Sequence, residues 1–157
     1  MVTISTRVRY GLRALLELAK NPDMTPVSLH SIADKLGISF KYLENIFKFA
    51  KHAGIVQGVR GPEGGYVLVK QPEDLTVYEV VSALDGPVFS TECTDDDALC
   101  SRLDLCSLRG LWNELQDTVG MYLKKRTLAD LLKLENEIPE KTILQLNKNI
   151  KTAHGGI

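Results

Sequence analysis

Three features of the sequence predict a mainly α-helical fold with one small β-hairpin. Apolar stripes of helical period, separated by turns rich in glycine and proline, fill the first 54 residues. Two short runs rich in β-branched and aromatic residues then flank a glycine-rich turn at residues 60–65. Beyond an acidic stretch that holds every cysteine, residues 108–125 resume the helical period for about five turns.

Residues 6–20 place Tyr10, Leu12, Leu15, Leu16 and Leu18 at helical spacing, with Arg7, Arg9 and Arg13 on other faces. Thr6 is the expected cap. Asn21-Pro22 is the expected stop, because proline has no N–H to donate and disfavours a helical residue before it. Ser28 leads a second, short helix with Leu29, Ile32, Ala33 and Leu36 on one side and Gly37 at its end. Ser39 caps a third, with Leu43, Ile46, Phe47 and Ala50 inward and Gly54 as its stop.

The tight Leu36-Gly37-Ile38-Ser39 turn suits a helix-turn-helix, although an ordinary helical hairpin would share it. The next fifteen or so residues separate the two. Residues 55–59 and 66–69 read as strands, and helix, helix, helix, hairpin is the winged helix-turn-helix order, with Arg60 near the wing tip. Thr76 then caps a helix that closes at Gly86-Pro87. Within residues 108–125, Leu111, Trp112, Leu115, Val119, Tyr122 and Leu123 form an apolar stripe. On a helix projecting from a small domain such a stripe needs a partner, and a second copy of the chain is the usual one. Thr127 begins one more short helix, and the polar stretch from Glu135 is interrupted by Pro139. The expected organisation is a winged helix-turn-helix domain over 1–86, a cysteine loop over 87–107, a dimerisation helix region over 108–134 and a partly flexible extension over 135–157.

At 157 residues the chain is long enough to bury a core without disulfide staples. Its three cysteines are an odd number, which argues against a closed disulfide framework. No apolar run near the N-terminus is long enough for a signal peptide or membrane span, so a cytoplasmic, reduced setting is expected. The net charge of −1 conceals an asymmetry: residues 1–70 hold ten Lys/Arg and five Asp/Glu, residues 71–157 nine and fifteen. A basic first part suits a polyanion.

The cysteines fall within fourteen residues, as Cys93-x6-Cys100-x5-Cys106. Thiolates are ligands of soft metals, and three on one segment can hold an iron–sulfur cluster by three corners. A 4Fe–4S cluster with one weak or non-protein ligand fits this composition better than 2Fe–2S, which wants four protein ligands. Loop acids Glu92, Asp95, Asp96, Asp97 and Asp104 are candidates for the remaining position, whereas His30, His52 and His154 are remote in sequence. Zinc would want a fourth ligand and tighter spacing, and a pure thiol switch would have only Arg102 and Arg109 nearby to favour a thiolate. An enzyme is not expected: metal-protease helix, Gly-x-Ser-x-Gly elbow and phosphate-binding glycine loop are all missing.

The segments ISFKYLENIFKFAKHAGIV, VRGPEGGYVL, CTDDDALCSRLDLC and LRGLWNEL closely resemble the winged-helix repressor family of IscR, NsrR, RirA and CymR, and in pattern most nearly its IscR members. The resemblance spans residues 4–132. It implies a homodimer paired through the long helix, binding to double-stranded DNA and, in many members, an iron–sulfur cluster that tunes that binding. It maps cluster ligands onto Cys93, Cys100 and Cys106. The histidine that IscR-type members place after the last cysteine is here Arg109, and the N-terminal aspartate of NsrR-type members is Arg9. Some CymR-like members suggest control by docking to a metabolic enzyme, which would leave the cysteines idle.

A recognition helix enters the major groove by its N-terminal residues, which nominates Ser39, Lys41, Tyr42 and Glu44. Ser39 and Tyr42 suit phosphates, Lys41 phosphate or guanine, and Glu44 a cytosine amino group. Glu44 equally suits a helix-stabilising pair with Lys48. Arg60 on its turn fits a narrow minor groove, with Gly61, Gly64 and Gly65 allowing close approach. Arg7, Arg9 and Lys51 are the expected phosphate contacts.

Overall fold

A computed structural model describes residues 4–21, 23, 25–88 and 106–138. Six helices and one antiparallel hairpin make up these residues, in the order the sequence predicts. Helix α1 is Thr6–Ala19, α2 Leu29–Leu36 and α3 Phe40–His52. Strands β1, Val56–Val59, and β2, Gly65–Leu68, pair with Val56 opposite Leu68 and Val59 opposite Gly65. Helix α4 is Val77–Asp85, α5 Ser107–Lys124 and α6 Leu128–Asn136.

Some boundaries differ from expectation. The cap of α1 is Ser5, whose hydroxyl accepts from the Val8 N–H at 3.1 Å, and not Thr6, which is the first helical residue. Each strand is shifted or trimmed by one residue, although the Val69 N–H still reaches the Ile55 carbonyl at 2.9 Å. Helix α5 starts one residue before the expected 108–125 span, at Ser107 behind Cys106. Residues 139–157 and 89–105, which include Cys93, Cys100 and the loop acids, lie outside the described residues.

The core forms where α1, α3 and α4 meet. Leu15, Ile32, Leu43, Ile46, Phe47, Leu75, Val80, Leu84 and Leu128 are almost completely buried. Gly37 closes α2 in the left-handed region at φ 64°, a conformation that costs a glycine little. Its turn lets Ile38 donate back to Ala33 at 3.1 Å while Ser39 opens α3. Helices α4 and α6 both start with capping boxes, Thr76 with Glu79 and Thr127 with Asp130. The Lys70 ammonium at 2.6 Å and the Thr76 N–H hold the Glu79 carboxyl below its ordinary range.

Helix α5 differs from the rest. It packs on α4, and none of its large apolar side chains is buried. Leu108, Leu111, Met121 and Tyr122 are each more than half exposed. No helix among the described residues is long and apolar enough to cross a membrane.

The hairpin is fixed to α2 by a two-way backbone pair, Val27 N–H to Tyr66 carbonyl at 3.0 Å and Tyr66 N–H to Val27 carbonyl at 2.9 Å. Gly65 makes this approach possible, since a Cβ there would lie 2.3 Å from the Val27 carbonyl oxygen. Gly65→Ala should therefore destabilise the fold by about 1–3 kcal/mol, measured as a lowered thermal midpoint. An unchanged midpoint would mean that the hairpin and α2 separate without cost.

Candidate nucleic-acid interface

Helix α3 is split lengthwise by burial. Leu43, Ile46, Phe47 and Ala50 face the core at 1 % exposure or less, so the opposite stripe of Lys41, Asn45, Lys48 and His52 faces outward. The Ser39 hydroxyl accepts from the Tyr42 N–H at 3.2 Å and so caps the helix. Tyr42 is half-buried, with its ring edge-on to Tyr10 of α1 at 6.2 Å. Glu44 lies beside the outward stripe with a carboxylate oxygen 3.9 Å from Lys48 Nζ, a loose pair on the helix surface. Lys51 is exposed at the end of α3.

Asn45 and Lys48 were not among the residues nominated from sequence. Their signal was available, because Asn45 follows Lys41 by one turn of the helix on the side opposite the apolar stripe. A second feature was not legible. The His30 ring of α2 stacks on Phe40, the first residue of α3, at 3.9 Å between centroids and 15° between planes.

The wing sits beside this helix. Tyr66 meets the Phe47 ring edge-on at 5.0 Å, so the strand carrying the wing and the helix carrying the outward stripe share one aromatic contact. Arg60 and Gly61 lie exposed at the turn, where Gly61 adopts φ 133° and its carbonyl accepts from the Gly64 N–H at 2.9 Å.

The remaining nominated cations are placed differently. Arg9 is exposed and donates to the Thr6 hydroxyl at 3.2 Å. Arg7 turns inward across the fold: its Nη1 donates to the Leu84 carbonyl at 2.8 Å, and its guanidinium lies over the Phe49 ring at 4.7 Å.

Of the three cysteines, only Cys106 lies within the described residues. It is the half-buried N-cap of α5, without a side-chain capping bond, and no acidic residue occupies the first turn of that helix. The helix dipole favours an anionic group at such a position. Arg109 and Arg9, at the two fourth-ligand positions implied by the resemblance, are permanent cations with no lone pair to offer. Cys106 is thus the one candidate thiolate ligand whose position is described. Among the described residues no group of three or more His, Cys, Asp or Glu side chains is gathered to hold a metal.

The sequence pattern of the Rrf2 family, described as iron-dependent transcriptional regulators, matches residues 4–134. Protein rrf2 of Nitratidesulfovibrio vulgaris is 38 % identical over 130 residues, which cover 83 % of this chain and 87 % of that protein. The structure of CymR, the global cysteine regulator of B. subtilis, superposes with a TM-score of 0.72 at 36 % identity, covering 85 % of this chain and 98 % of CymR. IscR of T. potens superposes at 0.70 with 31 % identity, covering 88 % and 93 % of the two chains.

An exposed i,i+4 ion pair contributes little to stability. Lys48→Ala should accordingly shift the unfolding free energy by less than about 0.5 kcal/mol in a denaturant titration. A larger loss would show that Lys48 supports the fold rather than the outward face.

Proposed function

The chain belongs to the Rrf2 family of transcriptional regulators, and from that premise we propose a homodimeric, cytoplasmic DNA-binding repressor governed by an iron–sulfur cluster on Cys93, Cys100 and Cys106. The observation that carries the DNA-binding half is the outward stripe of α3, whose direction is set by the buried face behind it. In the major groove Lys41 reaches phosphate or guanine, Asn45 pairs with the adenine edge, and Glu44 accepts from a cytosine amino group. Ser39 and Tyr42 contact phosphates at the start of the helix, and Lys51 does so at its end. Arg60 enters the adjacent minor groove, where the Gly61 turn allows close approach.

Two copies pair through the apolar side of α5, which the chain's own fold leaves exposed. Cys106, at the head of that helix, would hold the cluster together with Cys93 and Cys100 of the preceding segment. Held by three thiolates, the group would supply a joint sensitive to oxygen, nitric oxide or iron loss. Three thiolates suit 4Fe–4S better than 2Fe–2S. Through its packing on α4, and that of α4 on α1 and α3, the pose of the head of α5 reaches the recognition helix.

The arginines at both fourth-ligand positions and the likeness to CymR favour a second reading, in which the cysteines act as thiols or a metabolic enzyme docks on the regulator. Anaerobic purification decides between them. The cluster reading expects a brown protein with near-stoichiometric iron and acid-labile sulfide, and a colourless, folded dimer for Cys106→Ala. A colourless unmodified protein that resists reconstitution would leave a thiol regulator, and an unfolded Cys106→Ala would make the cysteine structural.

Glu44→Ala should broaden base preference in a binding selection while changing affinity for the best site by less than about threefold. An unchanged preference would reduce Glu44 to the partner of Lys48.

A further inference from the structure

Arg7 occupies a junction that the proposed DNA contacts do not use. It lies in the first turn of α1, yet its Nη1 donates to the Leu84 carbonyl at 2.8 Å and stands 3.9 Å from Asp85 Oδ1. The same guanidinium sits over the ring of Phe49 at 4.7 Å. Leu84 and Asp85 end α4, and Phe49 lies on the flank of α3 between its buried and outward faces. One side chain therefore ties together the start of α1, the end of α4 and the recognition helix.

Only a guanidinium fills this place well. It bonds in its plane to a carbonyl at a helix end, where intrahelical donors have run out, while its face stacks on an aromatic ring. A lysine ammonium offers one function or the other. The end of α4 is followed directly by Gly86, at φ 84°.

We propose that Arg7 is a positioning residue for DNA recognition: by clamping Phe49 to the end of α4 it sets the angle at which α3 meets the base edges, without touching DNA itself. The inference rests on DNA binding as proposed above and not on the cluster.

The test uses the full-length protein and a duplex enriched by it from a random-sequence pool. Affinities for this duplex and for a random-sequence duplex are measured over a range of salt concentrations for Arg7, Arg7→Lys and Arg7→Ala. A positioning role expects both variants to lose about tenfold in affinity for the enriched duplex. The random duplex and the salt slope should hardly change, since no phosphate contact is lost. A phosphate contact would instead leave Arg7→Lys close to Arg7. Arg7→Ala would then weaken both duplexes alike and make the salt slope shallower by about one. That result overturns the proposal, as would two variants indistinguishable from Arg7. Should Arg7→Ala fail to fold, Arg7→Lys separates the two roles alone. If the unmodified protein enriches no duplex, DNA binding itself fails and the proposal falls with it, before any variant is compared.

Discussion

The direction of the recognition helix is dictated by the four side chains it buries. Turning α3 by one residue rotates its faces by about 100°, which would drive Asn45 toward the core and expose Phe47, or drive Lys48 inward and expose Ile46. Burying an unpaired polar or charged group costs several kcal/mol, and exposing a buried phenylalanine about 1.5–3 kcal/mol more. The helix therefore has one stable rotation. Phe47 extends the constraint, because its ring also receives Tyr66 and so fixes the wing strand relative to α3. The Val27–Tyr66 backbone pair adds the start of α2 to the same unit. Both surfaces assigned to DNA are thus held in one packed unit centred on Tyr66.

Helix α5 imposes a constraint of the opposite kind. Its apolar side chains do not find burial within the described residues, and apolar area left in water forfeits about 25 cal/mol per Å². In the proposed homodimer, pairing two copies along this helix would remove the deficit and place two recognition helices under one symmetry axis. Because half-sites repeat with the helical turn of DNA, at about 34 Å, a small change in that pairing alters affinity strongly. Under the proposed cluster reading, Cys106 at the head of α5 is where such a change would start.

Much of the fold was legible in the sequence for identifiable reasons. Helices α1, α3 and α4 carry strong apolar periods with serine or threonine at their starts, and the glycines at 37 and 54 mark the ends of α2 and α3. The assignment of Thr6 as a cap failed because Ser5 is an equally good hydroxyl one position earlier, and periodicity does not separate them. The placement of Arg7 was not legible in the sequence for a deeper reason. Its principal partner is 77 residues away, and no local pattern distinguishes a clamped arginine from a solvated one. The His30–Phe40 stack depends likewise on how α2 and α3 are juxtaposed. The cysteine motif was conspicuous in sequence, but a ligand set is a matter of where three sulfurs converge, which spacing alone does not determine.

The decisive question is whether the cysteine-held group governs DNA binding. Its most direct test is an anaerobic titration of one enriched duplex with the iron-replete protein, repeated after the iron is removed by a chelator. If the group governs binding, affinity for this duplex differs between the two forms by about tenfold or more, a coupling of at least about 1.4 kcal/mol. Equal affinities, with iron and sulfide shown to be present in one form and gone from the other, would contradict it.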